Sequence, residues 1–216
     1  MLKRGFTLIE VLVTLVVLMF GLLGIAGLMA KGQRASFEAF QRQQALALAG
    51  DMAERILSNR QQGANYAAAA PLITPIGNNY STDYNDLLRN NIVNCLQAAC
   101  NNSSDLQKYD IAVWEGQLLG NGETLATTGN TVGGLLNANA CIVELSSTIA
   151  TCPAAPAPAG NTFSRMLRIS VAWQGADDTG DPSNSGANMT CGAGLYRSAT
   201  SRRLVTTDIN NLENCP

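Results

Sequence analysis

The chain has no histidine among its 216 residues. That absence removes the Ser/His/Asp triad, the Cys/His dyad and every histidine-containing metal site together. Charge is sparse: 14 Lys and Arg against 16 Asp and Glu leave a net charge of −2. Such a balance is no footprint for a polyanion partner. No Cys-x-x-Cys pair occurs, so neither a zinc ribbon nor a thioredoxin-like redox motif is indicated. G-x-S-x-G, a Gly-rich phosphate loop and any internal repeat are also missing. An envelope-anchored enzyme therefore finds no catalytic constellation here, and no catalytic residue, metal or cofactor is expected.

Against that sparse background one run stands out. From Val11 to Ala30 only Thr14 is conventionally polar. Twenty residues at ~1.5 Å each span ~30 Å, the thickness of a bilayer's hydrocarbon core. Glu10 sits at the start of this run. An ionised side chain inside such a segment costs roughly 2.5–3.5 kcal/mol even on the mildest insertion scales, so it needs a partner or a task. Lys3 and Arg4 precede the run, but it is too long for the h-region of a secretory signal. Against a secretory signal, the bland reading of the run is an uncleaved single-pass anchor. Lys31, Arg34 and Arg42 follow the run, so charge counting does not orient it. The six cysteines do: Cys95, Cys100, Cys141, Cys152, Cys191 and Cys215 all lie beyond the run. An even set on one side of a membrane segment fits disulfides, which places that side outside the cytoplasm.

The helical pattern continues past the anchor. Ala45, Leu48, Ala49, Met52 and Ile56 fall on one stripe, with Asp51, Glu54 and Ser58 opposite. One helix is expected from Phe6 to about Asn59, ended by Asn59–Gly63. Gly21, Gly24 and Gly27 punctuate its apolar half. They fit close packing against another helix, or a segment built to bend or unwind. Residues 61–102 read as a long loop with a short helix around Tyr84–Ala99. A second helix is expected over Ser103–Gly120, with Ser104 and Gln107 in a capping-box pattern and Gly120 as its stop. Then the chemistry turns to strands: 140–145, 166–174 and 202–209. Short strands without intervening helices predict an antiparallel sheet, hence an α+β fold.

The stretch "KRG-FTLIE" resembles the start of the type IV pilins: a basic leader, Gly5, Phe6, then apolar residues with Glu10 four positions beyond Phe6. A long helix, a variable loop, an antiparallel sheet and a disulfide-tied C-terminus follow in that family's order. The runs "EVLVTLVVLMFGLLGIAGL" and "RISVAWQG…RRLVTTDI" look most like PilV-type minor pilins. Gly27 stands where many major pilins carry a helix-kinking proline. The resemblance implies cleavage by a prepilin peptidase between Gly5 and Phe6 and N-methylation of Phe6. A glycine there lets the protease approach the backbone without a Cβ in the way. It also implies that Glu10 pairs with the Phe6 amine of a neighbouring subunit and so sets axial register. The expected organisation is a leader at 1–5, a transmembrane and filament-core segment at 6–30, an amphipathic helix at 31–60 and a periplasmic, later extracellular, head at 61–216. Expected partners are the prepilin peptidase, the major pilin and other minor pilins, the inner-membrane assembly platform, and the membrane before extraction.

The expected role is a low-copy minor pilin in pilus assembly, supporting adhesion, twitching motility or DNA uptake. The alternatives are a type II secretion pseudopilin and a DNA- or surface-binding tip pilin. Two Gly/Asn/Pro-rich loops, 61–82 and 175–194, favour the minor role, because long loops are rarely packing surfaces. After Lys108 all five basic residues are arginines: Arg165, Arg168, Arg197, Arg202 and Arg203. They offer a stripe for nucleic acid, although a solvated sheet face is preferred. Asp177, Asp178, Asp181 and Asn184 lack the closing glutamate of a calcium loop and read as a turn. The cysteines are expected to pair in sequence, Cys95–Cys100, Cys141–Cys152 and Cys191–Cys215, since local closure costs least entropy.

Overall fold

The computed structural model describes residues 5, 7–77, 95, 102–120, 133–149, 152 and 160–215. It divides into two compact units, Met1–Phe40 and Gln41–Pro216. Helix α1 runs Leu8–Ser58, 51 residues, close to the predicted bounds. In the first unit its large apolar side chains are exposed, from Leu8 at 83% to Met29 at 65%. A water-soluble helix would hide such a surface, so this one suits lipid or other apolar helices.

Burial in the second unit begins at Gln41 and follows the predicted stripe: Ala45, Ala49, Met52 and Ile56 are fully buried and Leu48 partly so. At Ser58 the helix gives way to a 3-10 turn, Arg60–Gln62, and then α2, Gly63–Ala69. The first part of the expected loop, residues 61–77, is therefore folded chain. Its signal was weak because glycine and alanine carry little periodicity, yet Tyr66, Ala70 and Ile76 are fully buried. The short helix expected at Tyr84–Ala99 falls outside the described residues, apart from Cys95. Helix α3, Ser103–Leu119, starts one residue earlier than its predicted capping box. The cap is Asn102, whose Oδ1 accepts from the Asp105 amide at 2.7 Å; asparagine is a favoured N-cap residue. Gly120 ends α3 with φ 72°, in the left-handed region where glycine is strain-free.

The sheet has four antiparallel strands in order β1-β2-β3-β4: Ile76–Gly77, Asn139–Ser147, Thr162–Gln174 and Arg202–Asn214. An α+β fold of one long apolar helix and an antiparallel sheet is thus present, consistent with the pilin fold. Leu167, Ile169, Val171 and Trp173 alternate onto the buried face with α1, α2 and α3. The Trp114 indole donates to the Leu48 carbonyl at 2.9 Å, tying α3 to α1. Tyr66 donates to Asp110, which also takes Arg55 of α1 at 3.0 Å. Burial and then Asp110 push the Tyr66 hydroxyl's pKa upward. One buried polar cluster therefore fixes three helices relative to each other.

Candidate functional site

Thr7 opens α1 by accepting the Glu10 and Val11 amides through its carbonyl, at 3.1 and 3.3 Å. Glu10 thus lies in the first turn, where the helix dipole favours a carboxylate. It is exposed, and its carboxylate has no hydrogen-bond or ion-pair partner among the described residues. Thr14, the other polar group, donates to the Val11 carbonyl at 2.8 Å and so satisfies itself inside an apolar stretch. The remaining surface is Leu, Val, Ile, Met and Phe. This helix alone, among the described residues, is long and apolar enough to cross a membrane. Gly5 is exposed, with open space where a Cβ would stand. Phe6 lies outside the described residues. Gly21, Gly24 and Gly27 likewise face open space, which does not separate the packing role from the bending one.

The cysteines are where the structure departs from expectation. Cys141 joins Cys191, and Cys152 joins Cys215, at sequence separations of 50 and 63. The sequential pairs Cys141–Cys152 and Cys191–Cys215 are overturned. Strand register is the reason. Cys141 pairs with Ser170 on the sheet face away from the helices, and the chain between β3 and β4 folds back over that face, bringing Cys191 to it. β4 runs back along the whole of β3, so Cys215 arrives beside Asn161, to whose carbonyl its amide donates at 2.9 Å. Cys152, just before β3, is then within reach. Cys95 is disulfide-bonded too, and its expected partner Cys100 lies outside the described residues.

Each of the five C-terminal arginines is engaged within the chain. Arg165 is buried against Glu213 at 2.7 Å and also meets Glu144. Arg168 holds Asp208 through two bonds of 2.7 Å. Arg197 meets Asp178 at 3.2 Å. Arg202 is 1% exposed and donates to the Met189 and Cys191 carbonyls, Asp181 and Ser183. Arg203 donates to Thr179 and the Thr200 and Asp177 carbonyls. A stripe of available cations for phosphates does not form. The same bonds explain the aspartates. The Ser198 hydroxyl and then Arg197 lower the Asp178 pKa, while the Ser183 amide and then Arg202 lower that of Asp181. These carboxylates brace the 175–201 loop, as the turn reading expects.

Comparison with known families agrees with the N-terminal geometry. Residues 1–26 match the prokaryotic N-terminal methylation motif. No curated protein and no solved structure matches the chain. The motif and the α+β fold together support a type IV pilin- or pseudopilin-like protein, a class of structural subunits rather than enzymes. The motif implies processing by a prepilin peptidase and assembly with other pilins, and with the apolar helix it supports membrane anchoring before assembly.

Proposed function

We propose that the chain is a minor pilin of a type IV pilus. In this reading residues 1–5 are a leader removed on the cytoplasmic side, the new Phe6 amine is methylated, and α1 holds the subunit in the inner membrane. The cysteine-bearing head stands outside the cytoplasm until the subunit is extracted into a filament. The observation that carries this is Glu10: an exposed carboxylate, without a partner among the described residues, at the start of the apolar half of α1 and inside a methylation motif. A neighbouring subunit's Phe6 amine supplies the missing partner. Leaving a carboxylate unpaired among apolar helices is costly, and only one axial stagger brings amine and carboxylate together. Glu10 is then a registry device, and Glu10→Ala is expected to insert, be cleaved and remain stable yet fail to enter filaments. Unchanged recovery in sheared pili would remove that role.

The minor status now rests on the 175–201 loop, since residues 61–77 carry helical and strand elements. A shaft subunit repeats at every position and must pack its head on all sides against its own copies. This loop carries Gly, Asn, Ser and Thr on its surface and few large apolar groups, a poor packing face for a repeating shaft. Quantitative mass spectrometry of sheared filaments decides the point. A low-copy subunit is expected; finding this chain the most abundant subunit would overturn minor status while leaving the pilin reading intact.

A further inference from the structure

Among the described residues β4 is the last strand of the sheet and pairs only with β3. The opposite side of the sheet is closed: Ile142 of β2 donates to the Ala70 carbonyl at 2.6 Å, and β1 pairs Ala140 and Asn139. Hydrogen bonds fix which β4 groups face out. Gln174, opposite Arg202, donates to Leu136 on the β2 side, and Asn214 donates to the Gln61 side chain instead of to β3. Backbone groups alternate along an antiparallel strand. Leu204, Thr206, Asp208, Asn210 and Leu212 therefore turn both N–H and C=O to the open edge, and among the described residues none of these groups bonds outside the strand ladder. Proteins usually blunt such an edge with proline, lysine or a bulge. β4 has no proline and no lysine, and its register with β3 is unbroken from Thr162–Asn214 to Gln174–Arg202.

We propose that this edge is a strand-addition surface that takes a second copy of the chain, β4 against β4 in antiparallel register. Self-complementarity selects that occupant. About Asp208 the outward residues read Leu204, Thr206, Asp208, Asn210, Leu212. In antiparallel register each Leu204 meets Leu212 of the second copy, and each Thr206 meets Asn210. Leu212 is half exposed and Met166, on the same face one strand in, is 41% exposed, so the apolar ends gain cover. The central carboxylates are already neutralised by Arg168, whose two 2.7 Å bonds lower the Asp208 pKa. A charged partner finds nothing to pair with here, whereas β4 is itself a near-neutral strand with leucines at the required spacing. A two-fold axis normal to the sheet reverses every in-plane direction, so the copies meet head to head. The inference rests on the sheet and stands apart from the pilin reading.

Sedimentation of the full chain in detergent, wild type against Thr206→Pro, tests this. Proline at 206 removes only an outward N–H and leaves the bonds to β3 in place, a substitution that edge strands tolerate. A concentration-dependent dimer is expected for wild type, weakened roughly tenfold or more by the substitution. Residue-resolved hydrogen exchange on wild type gives a reading free of any folding defect: the amides of Leu204, Thr206, Asp208, Asn210 and Leu212 should slow as concentration rises. A monomer at all concentrations, a dimer indifferent to Thr206→Pro, or edge amides that exchange equally fast in monomer and dimer would each overturn the proposal.

Discussion

Gly63 offers the sharpest test of how the head is held together. It opens α2 at φ −51°, a conformation any residue adopts, so by propensity alone alanine should improve it by up to ~1 kcal/mol. Its surroundings say otherwise. A Cβ there would stand 2.2 Å from Glu213 Oε1, 2.7 Å from Asn211 Nδ2 and 3.2 Å from Arg165 Cδ. Glu213 ends a flexible side chain, but it is not free to swing: Arg165 Nε holds the same oxygen at 2.7 Å and Asn211 Nδ2 at 2.9 Å, with the carboxylate side chain only 6% exposed. Asn211 in turn donates to the Arg60 carbonyl at 2.8 Å, clamping the turn before α2 onto the sheet. Overpacking of this kind costs about 1–3 kcal/mol, so Gly63→Ala should lose about 1–2 kcal/mol net. At 2–4 °C per kcal/mol for a chain of this size, the melting temperature should fall by about 2–8 °C. Gly50, in α1 with nothing within 4 Å of its virtual Cβ, is the control, and Gly50→Ala should be neutral or stabilising. Circular dichroism melts of the two variants decide it. A Gly63→Ala protein as stable as wild type would show that the buried ion cluster yields easily and does not clamp the turn.

Non-reduced peptide mapping should recover Cys141 linked to Cys191 and Cys152 linked to Cys215; six alkylatable thiols in the native protein would refute the oxidised reading altogether. Replacing both Cys152 and Cys215 with alanine should cost about 2–4 kcal/mol, since the bond closes a long loop, and is read as a lowered denaturant midpoint. Gly5→Val should leave the leader attached and the protein in the inner membrane, checked by N-terminal sequencing; Met1 retained in wild-type filaments would sink that expectation. Acid should weaken the head: Asp178, Asp181 and Asp208 all have pKa values lowered from 3.8 in the folded state. Their contribution is therefore present above about pH 4 and is lost as pH falls through the depressed folded values. Thermal melts between pH 5 and 2 should show this, less steeply in Asp208→Asn.

The helix and the three long strands were legible because their signals are local. A 3.6-residue stripe from Ala45 to Ile56 and a two-residue alternation from Leu167 to Trp173 each report one element's own burial. The region after Ser58 was not legible, because its packing depends on single residues such as Tyr66 and Gly63 meeting partners over 40 positions away. The arginines were only half legible for a related reason: a sheet-face role was preferred over a nucleic-acid stripe, but the burial of Arg165 and Arg202 was not foreseen. Composition shows five cations in a row of arginines, while only the register of β3 on β4 shows that Arg168 faces Asp208 and Arg165 sits across from Asn211, beside Glu213.

The disulfides show most clearly what a sequence rule omits. Loop-closure entropy favours near neighbours, but the difference is small: each doubling of loop length costs only ~0.6 kcal/mol. Once β2, β3 and β4 form a meander, register outweighs that preference. The chain end is returned to the start of β3, and the excursion between β3 and β4 is laid across Cys141. The two bonds then do different work. Cys152–Cys215 fastens the end of β4, the edge strand, to the segment leading into β3, while Cys141–Cys191 fixes the 175–201 loop over the sheet face that the helices leave open. Arg202 reinforces the second attachment from beneath, bonding the carbonyls of Met189 and Cys191. A loop held at both a disulfide and a buried guanidinium is a fixed surface, so whatever the head recognises through it meets a preorganised shape and binding need not order the loop first.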